Sequence, residues 1–351
     1  MKIAVGIICG GQSPEHDISI LSAKNVVNAI NQNKFIPHII YIDKNGTWKT
    51  IENSNLDNIA SSTQHELCIV PGGKNKSFVF KNNPEKSLNI DIAFPILHGQ
   101  LGEDGTIQGL FRMLNLPFVG CGVLSCAISM DKDVTKRLLK EAGILTSRFL
   151  VFYRHERKQI LFKNIVDQLK LPFFVKPTNA GSSIGVSKVK NEAEFDKAIQ
   201  DAFLHDEKII LEEYIQGREI ECAVLGNENP QVALPGEIIP HHEFYTYEAK
   251  YFDDHGASVV VPAELDKEII KKFQQIALQV YTLFVCSGLS RIDFFLTNNN
   301  KIYVNEFNTL PGFTNNSMYP KCWQVAGVSY PDLIERLILF GLKKFHHEMA
   351  I

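Results

Sequence analysis

Four residues near the C-terminus have the types and the spacing to hold a divalent cation beside a phosphate. Asn299-Asn300 fits a two-residue hairpin turn, because asparagine tolerates positive φ. Such a turn pairs 298 with 301, which sets Asp293 opposite Glu306 and Arg291 opposite Asn308. Directly opposed residues share a sheet face. Ile292, Phe294 and Leu296 are then expected on the other face with Tyr303, Asn305 and Phe307. The polar face would gather two carboxylates, an amide and a guanidinium. Hard oxygen donors in that number suit Mg²⁺ carrying a nucleotide phosphate. A salt-bridged sheet face is the plain alternative, and the Asn and Arg beside the carboxylates favour the metal.

Other segments have chemical potential but are less specific. Lys176 to Gly185 (KPTNAGSSIG) joins two expected strands. Its backbone N–H groups could close over phosphate beside the Lys176 charge, although taken alone it is an ordinary turn. His98 to Gly105 (HGQLGEDG) follows an expected strand at Ile90–Leu97, the place where open α/β sheets bind ligands. By itself it reads as a surface turn preceded by a core histidine. Glu15 reads as a stabilising first-turn acid. Tyr245 to Tyr251 (YTYEAKY) packs three tyrosines around a lysine. It is equally a core-capping loop or a lid that shuts out water, with Lys250 on phosphate.

These residues need a frame. Ile3–Cys9 is an apolar block bounded by glycine, as a central parallel strand is. Ser13-Pro14-Glu15 offers an N-cap, a first-turn proline and an acid, so a helix is expected to start there. A further strand is expected at His38–Asp43, and 44–89 is polar and weakly patterned, an elaboration of this first α/β unit. Asp131–Ala142 reads as a helix stopped by Gly143. Strands at Phe173–Lys176, Gly185–Val189 and Ile209–Ile215 around a helix at Glu192–Phe203 suggest α+β. Strands at Glu219–Leu225 and Val232–Ile239, helices at Lys267–Val285 and Asp332–Phe345, and the hairpin complete the chain.

With 351 residues the chain should form two or three domains. Its 45% hydrophobic and 21% charged content excludes a disordered chain. A net charge of -3 predicts no general affinity for nucleic acid or an anionic membrane, so any anion must be met locally. Seven scattered cysteines without CxxC spacing suggest reduced thiols in a cytoplasmic protein. The dinucleotide fingerprint, the P-loop and HExxH are all missing.

Together the motifs resemble the D-alanine–D-alanine ligases of the ATP-grasp superfamily. The pieces are GGQSPEHDIS at 10–19, HGQLGEDG at 98–105, MDK at 130–132, KPTNAGSSIGVSKV at 176–189, LEEYIQGRE at 211–219, YEAKY at 247–251, RID at 291–293 and NEFNTLPGFTNNS at 305–317. The resemblance implies an α/β and α+β, three-domain ATP-grasp fold. A Rossmann-like domain over 1–120 would hold the first substrate. A central subdomain over 121–213 and a C-terminal one over 214–351 would hold ATP between them. Lys132 and Lys176 would contact phosphates under Ser182 and Ser183. Glu212, Tyr214, Ile215 and Glu219 would meet adenine and ribose. Asp293, Glu306 and Asn308 would hold two Mg²⁺ (or Mn²⁺) ions.

The implied reaction joins two D-alanines with ATP through a D-alanyl phosphate, for cell-wall precursors. Glu15 would hold the first ammonium, with His98 nearby. Ser317 beside Met318 would hold the second carboxylate, and Arg291 with the Gly312 N–H would stabilise the tetrahedral oxyanion. Tyr251, reaching Glu15 through Ser182, would latch a lid and favour an amine over D-lactate as acceptor. A homodimer acting on small molecules, away from nucleic acid and membrane, is implied as well. Ser290, Glu213 and Met318 depart from the usual family pattern.

Overall fold

The computed structural model describes residues 2–51, 56, 59, 62–73, 76–241 and 256–349. Three sheets organise the described residues. The first begins with β1 (Ile3–Gly10), flanked in parallel by β2 (Phe35–Ile42) and β7 (Ile92–Pro95). Val5, Ile7, Ile8 and Cys9 are fully buried, as expected for a strand covered on both faces. The weakly patterned stretch after β2 extends this sheet. Strands β3 (Trp48–Ile51), β4 (Gln64–Ile69), β5 (Phe78–Phe80) and β6 (Asn83–Leu88) add antiparallel to its edge, in the order β6-β5-β4-β3-β2-β1-β7. Antiparallel strands with one solvated face need no continuous apolar run, which is why the segment looked patternless.

Helix α1 (His16–Ala29) starts later than expected. Ser13 and Pro14 form a turn in which the Ser13 hydroxyl accepts from the Glu15 N–H at 3.0 Å, and Glu15 is the capping residue. Helix α2 (Thr106–Met113) packs beside the first sheet, and α3 (Val123–Met130) leads away from it. Helix α4 (Lys132–Glu141) has a true cap, since the Asp131 carboxylate accepts from the N–H groups of Asp133 and Val134.

The second sheet has the order β10-β9-β11-β8, from β8 (Phe149–Tyr153), β9 (Phe173–Pro177), β10 (Ser187–Val189) and β11 (Lys208–Glu213). Helices α5 (Phe162–Leu169) and α6 (Glu192–His205) cover one face with Ile165, Phe195 and Ile199. The other face is left for Lys176 and Glu212.

The third sheet holds β12 (Arg218–Gly226), β13 (Gln231–Val232), β14 (Gly236–Pro240), β15 (Ala257–Val260), β16 (Gly288–Leu296) and β17 (Ile302–Asn308). Helix α7 (Lys267–Leu283) backs it, with the Phe273 ring edge-on to Phe294 at 5.2 Å. Burying each such ring contributes about 2–3 kcal/mol.

The β16–β17 hairpin pairs Arg291 with Asn308 and Asp293 with Glu306, as expected. It reaches that register by two departures that cancel. The tip is a three-residue loop closed by the Thr297 N–H donating to the Lys301 carbonyl at 3.0 Å, with Asn300 at φ 58°. A bulge at Asn305 then restores the lost residue, because Phe294 pairs with Val304. The expected apolar face is therefore corrected between bulge and tip. Ile302 and Val304 fill the core with Ile292, Phe294, Leu296 and Phe307, and Tyr303 and Asn305 stay partly exposed.

Helices α8 (Met318–Val325) and α9 (Tyr330–Met349) close the chain. Leu333, Ile334, Leu337 and Ile338 of α9 share one core with Val5 and Ile7 of β1 and with Leu225 and Leu289 of the third sheet. The last helix thus ties the first and third sheets together. All seven cysteines are unpaired. Among the described residues no helix is long and apolar enough to cross a membrane.

Candidate active site

The loops beyond β1 and β7 supply the first group of side chains, where a parallel sheet presents its carboxyl ends. Glu15 is 5% exposed, and its carboxylate accepts from the Ser182 hydroxyl of the loop between β9 and β10. That contact joins the first sheet to the second. Ser182 and Ser183 both have positive φ, 48° and 62°. Left-handed backbone at a non-glycine residue costs on the order of 1–3 kcal/mol and tends to persist where function requires it. His98 is buried, with its Nε2 3.4 Å from the Ser22 hydroxyl. Burial pushes its pKa down against the opposing pull of Glu15, which keeps the ring neutral.

Glu103 was quoted only as part of a motif and given no role, yet it sits at the junction of two loops. Its carboxylate accepts the Gly99 N–H at 2.8 Å and the backbone N–H of Leu310, and Leu310 also bonds His98. Burial, helped by the Glu15 charge, pushes its pKa up to about 8. The native state thus keeps a proton that the unfolded chain releases near pH 4.5. Stability from this group is full at low pH and is lost as pH rises from there towards 8. Glu103→Gln, which mimics the neutral acid, is expected to flatten that decline. Thermal melts from pH 5 to pH 9 check it, and a slope equal to that of the parent chain would refute the assignment.

A second group faces the space beside the central sheet. Lys176 on β9 donates to Glu212 on β11 at 3.0 Å, and Lys132 donates to the Ala180 carbonyl at 2.6 Å. Lys136 escaped the sequence reading. It lies one helical turn after Lys132, is 1% exposed, and donates to Thr146 and Ser147 at 2.9 Å, with Glu212 at 3.5 Å. Burial alone would raise Glu212, but Lys136, Lys176 and Lys132 outweigh it and hold its pKa down at about 2. Tyr214 is half-exposed under Lys188, whose Nζ is 4.2 Å from the ring centre, and Ile215 is partly buried next to it. Glu219 lies on β12 opposite Phe295. Glu213 points elsewhere, bound to Arg148 at 2.6 Å.

The third group is the hairpin face. Arg291 donates Nε and Nη2 to the two oxygens of Asp293, both at 2.7 Å, and Asn308 donates to Asp293 at 2.9 Å. Glu221 of β12, opposite Asp293, adds a third carboxylate 3.0 Å from Arg291. Alternation with Glu219 on one strand was the signal for it. Burial would depress Arg291, but Asp293, Glu221 and Glu306 outweigh it and raise its pKa well above the usual value. Three carboxylates against one guanidinium leave excess negative charge, and the donors are hard oxygens, so the face fits Mg²⁺. As they stand, no three His, Cys, Asp or Glu side chains among the described residues are gathered to hold a metal. In this arrangement Arg291 and Asn308 both hold Asp293.

Beyond β17, Ser317 stands at the N-cap position of α8 without a side-chain capping bond, and its hydroxyl accepts the Thr314 N–H at 2.9 Å. A Cβ on Gly312 would stand 2.8 Å from that hydroxyl, so the two are neighbours. The Met318 side chain is 3% exposed and packs in the core against Gly236. Ser290 is buried, and its hydroxyl has no hydrogen-bond partner. Lys250 and Tyr251 lie outside the described residues.

Three sheets that converge paired lysines, a carboxylate face and a strained serine loop define an ATP-grasp enzyme. Family models for the D-ala D-ala ligase N-terminus and C-terminus match residues 4–121 and 138–339. A D-alanine–D-alanine ligase of Oceanobacillus iheyensis is 47% identical, covering 100% of this chain and 98% of its own. The solved D-alanine–D-alanine ligase of Coxiella burnetii superposes with a TM-score of 0.89 at 38% identity, covering 99% of this chain and 96% of its own. The VanG D-Ala:D-Ser ligase of Enterococcus faecalis gives 0.88 at 36%, with 97% and 100% covered. The chain belongs to the D-alanine–D-alanine ligase family.

Proposed function

We infer that the chain joins two D-alanine molecules into D-alanyl-D-alanine with ATP, releasing ADP and phosphate, for peptidoglycan precursors. One observation carries the reading beyond family membership. The Leu310 backbone is bonded by both His98 and Glu103, and it lies two residues from Asn308 on one side and from Gly312 on the other. The first-substrate loop is thereby stitched to the segment between the metal face and the oxyanion donor.

In this reading 1–120 carries the first-substrate site, 121–213 the central ATP-grasp unit, and 214–351 the metal face and lid. Glu15, held by Ser182, binds the ammonium of the first D-alanine. Its carboxylate is then phosphorylated by ATP lying between Lys132 and Lys176 on one side and the hairpin on the other. Asp293, Glu306 and Asn308 hold Mg²⁺, which neutralises phosphate charge. Glu212, Tyr214, Ile215 and Glu219 receive adenosine, and Ser183 covers the phosphates with Lys250. Ser317, with the α8 N-terminus at Met318, holds the second carboxylate. The free amine of that second D-alanine attacks the acyl phosphate. Arg291 and the Gly312 N–H stabilise the oxyanion, a donor effect worth about 3–4 kcal/mol. Tyr251 closes the lid, because water competes for an acyl phosphate.

Mass-spectrometric product analysis with ATP, Mg²⁺ and D-alanine, with D-lactate in competition, tests this. D-alanyl-D-alanine with matched phosphate is expected. D-alanyl-D-lactate as the main product near neutral pH would overturn the acceptor assignment, and no phosphate release would overturn the reaction.

A further inference from the structure

Glu221, Asp293 and Glu306 form one transverse row across β12, β16 and β17, and Ala223, Arg291 and Asn308 form the next. Both rows point to the same face. Arg291 holds both oxygens of Asp293 and Asn308 shares one, so a cation arriving at Asp293 competes with three donors for its about four lone-pair sites. A partly buried guanidinium that loses its partner is strongly destabilising. Glu221 is the second carboxylate already in reach, 3.0 Å from Arg291 Nε, with its side chain 13% exposed. Ala223, directly opposite Arg291, has no longer side chain to compete for the guanidinium.

We propose that Glu221 is a positioning residue that receives the Arg291 guanidinium when a divalent cation takes Asp293. The exchange rests on the metal reading given above. It keeps Arg291 charged, paired and on the reacting face through metal loading. Without Glu221 the guanidinium has Asp293 as its remaining close partner on the neighbouring row and competes with the cation for it. Glu221 therefore acts on the metal through Arg291, not as a ligand.

Mn²⁺ binding to the full chain with a non-hydrolysable ATP analogue, read by electron paramagnetic resonance, tests the exchange through a double-mutant cycle. Glu221→Gln is expected to weaken Mn²⁺ about tenfold, and the same change in an Arg291→Met background at most about threefold. Glu221→Asp, which keeps a carboxylate, is expected to recover part of the loss. An equal or larger effect of Glu221→Gln without Arg291 would make Glu221 a ligand or a plain charge and overturn the proposal. No effect in either background would make the pair a structural salt bridge and overturn it as well. Asp293→Asn separates the two levels. If it too leaves Mn²⁺ binding intact, the metal assignment itself fails; if it alone abolishes binding, only the exchange does.

Discussion

Glu306→Gln is expected to lower kcat/KM for D-alanine by at least about a thousandfold while the thermal midpoint stays level or rises. The size follows from the role. A carboxylate that would help hold the proposed cations would support several kcal/mol of transition-state charge stabilisation, and a thousandfold is about 4 kcal/mol. The neutral amide keeps the shape and one oxygen but removes the charge. The stability side follows from the sheet. Glu306 lies opposite Asp293, which in turn lies opposite Glu221, so three like charges stand in a row. Removing one relieves repulsion in the metal-free chain. Coupled-enzyme kinetics at saturating Mg²⁺, beside a melting curve, decides it. Near-normal turnover would remove Glu306 from the metal site.

Gly99→Ala is expected to lower kcat/KM for the first D-alanine about a hundredfold and to leave ATP-analogue affinity unchanged. Gly99 has φ +74°, and a Cβ there would stand 2.7 Å from Glu15 Oε2 and 2.9 Å from Ser13 Oγ. Both are side-chain atoms, so the methyl group would be accommodated by displacing the carboxylate. A shift near 1 Å in a positioning group costs about a hundredfold. The backbone strain, on the order of 1–3 kcal/mol, is controlled by Gly143→Ala. Gly143 has φ +71° with nothing within 4 Å of the added Cβ. Equal losses of activity in both variants would reduce the effect to strain.

The alternating hairpin and the buried first strand were legible because period and burial are local properties. The polar face of the hairpin was read correctly although its tip was not, since the Asn305 bulge offset the three-residue loop. The start of α1 was misplaced because Ser13 uses its hydroxyl in a turn before the helix begins. Lys136 and Glu221 each carried a signal, one turn after Lys132 and two residues after Glu219. Their partners lie 70 or more residues away in sequence, Glu212 for one and Arg291 for the other, and single-sequence patterning does not reach that far. The Ser182–Glu15 contact spans 167 residues and came from the family resemblance alone.

The offset between tip and bulge has an evolutionary consequence. A descendant lacking one codon at Asn299 or Asn300 would keep the Thr297–Lys301 closure over a two-residue turn, and the Asn305 bulge would stay as it is. The ladder from Asp293 to Arg291 would then keep its partners. Drift in gene length at this tip is thereby uncoupled from selection on the reacting face.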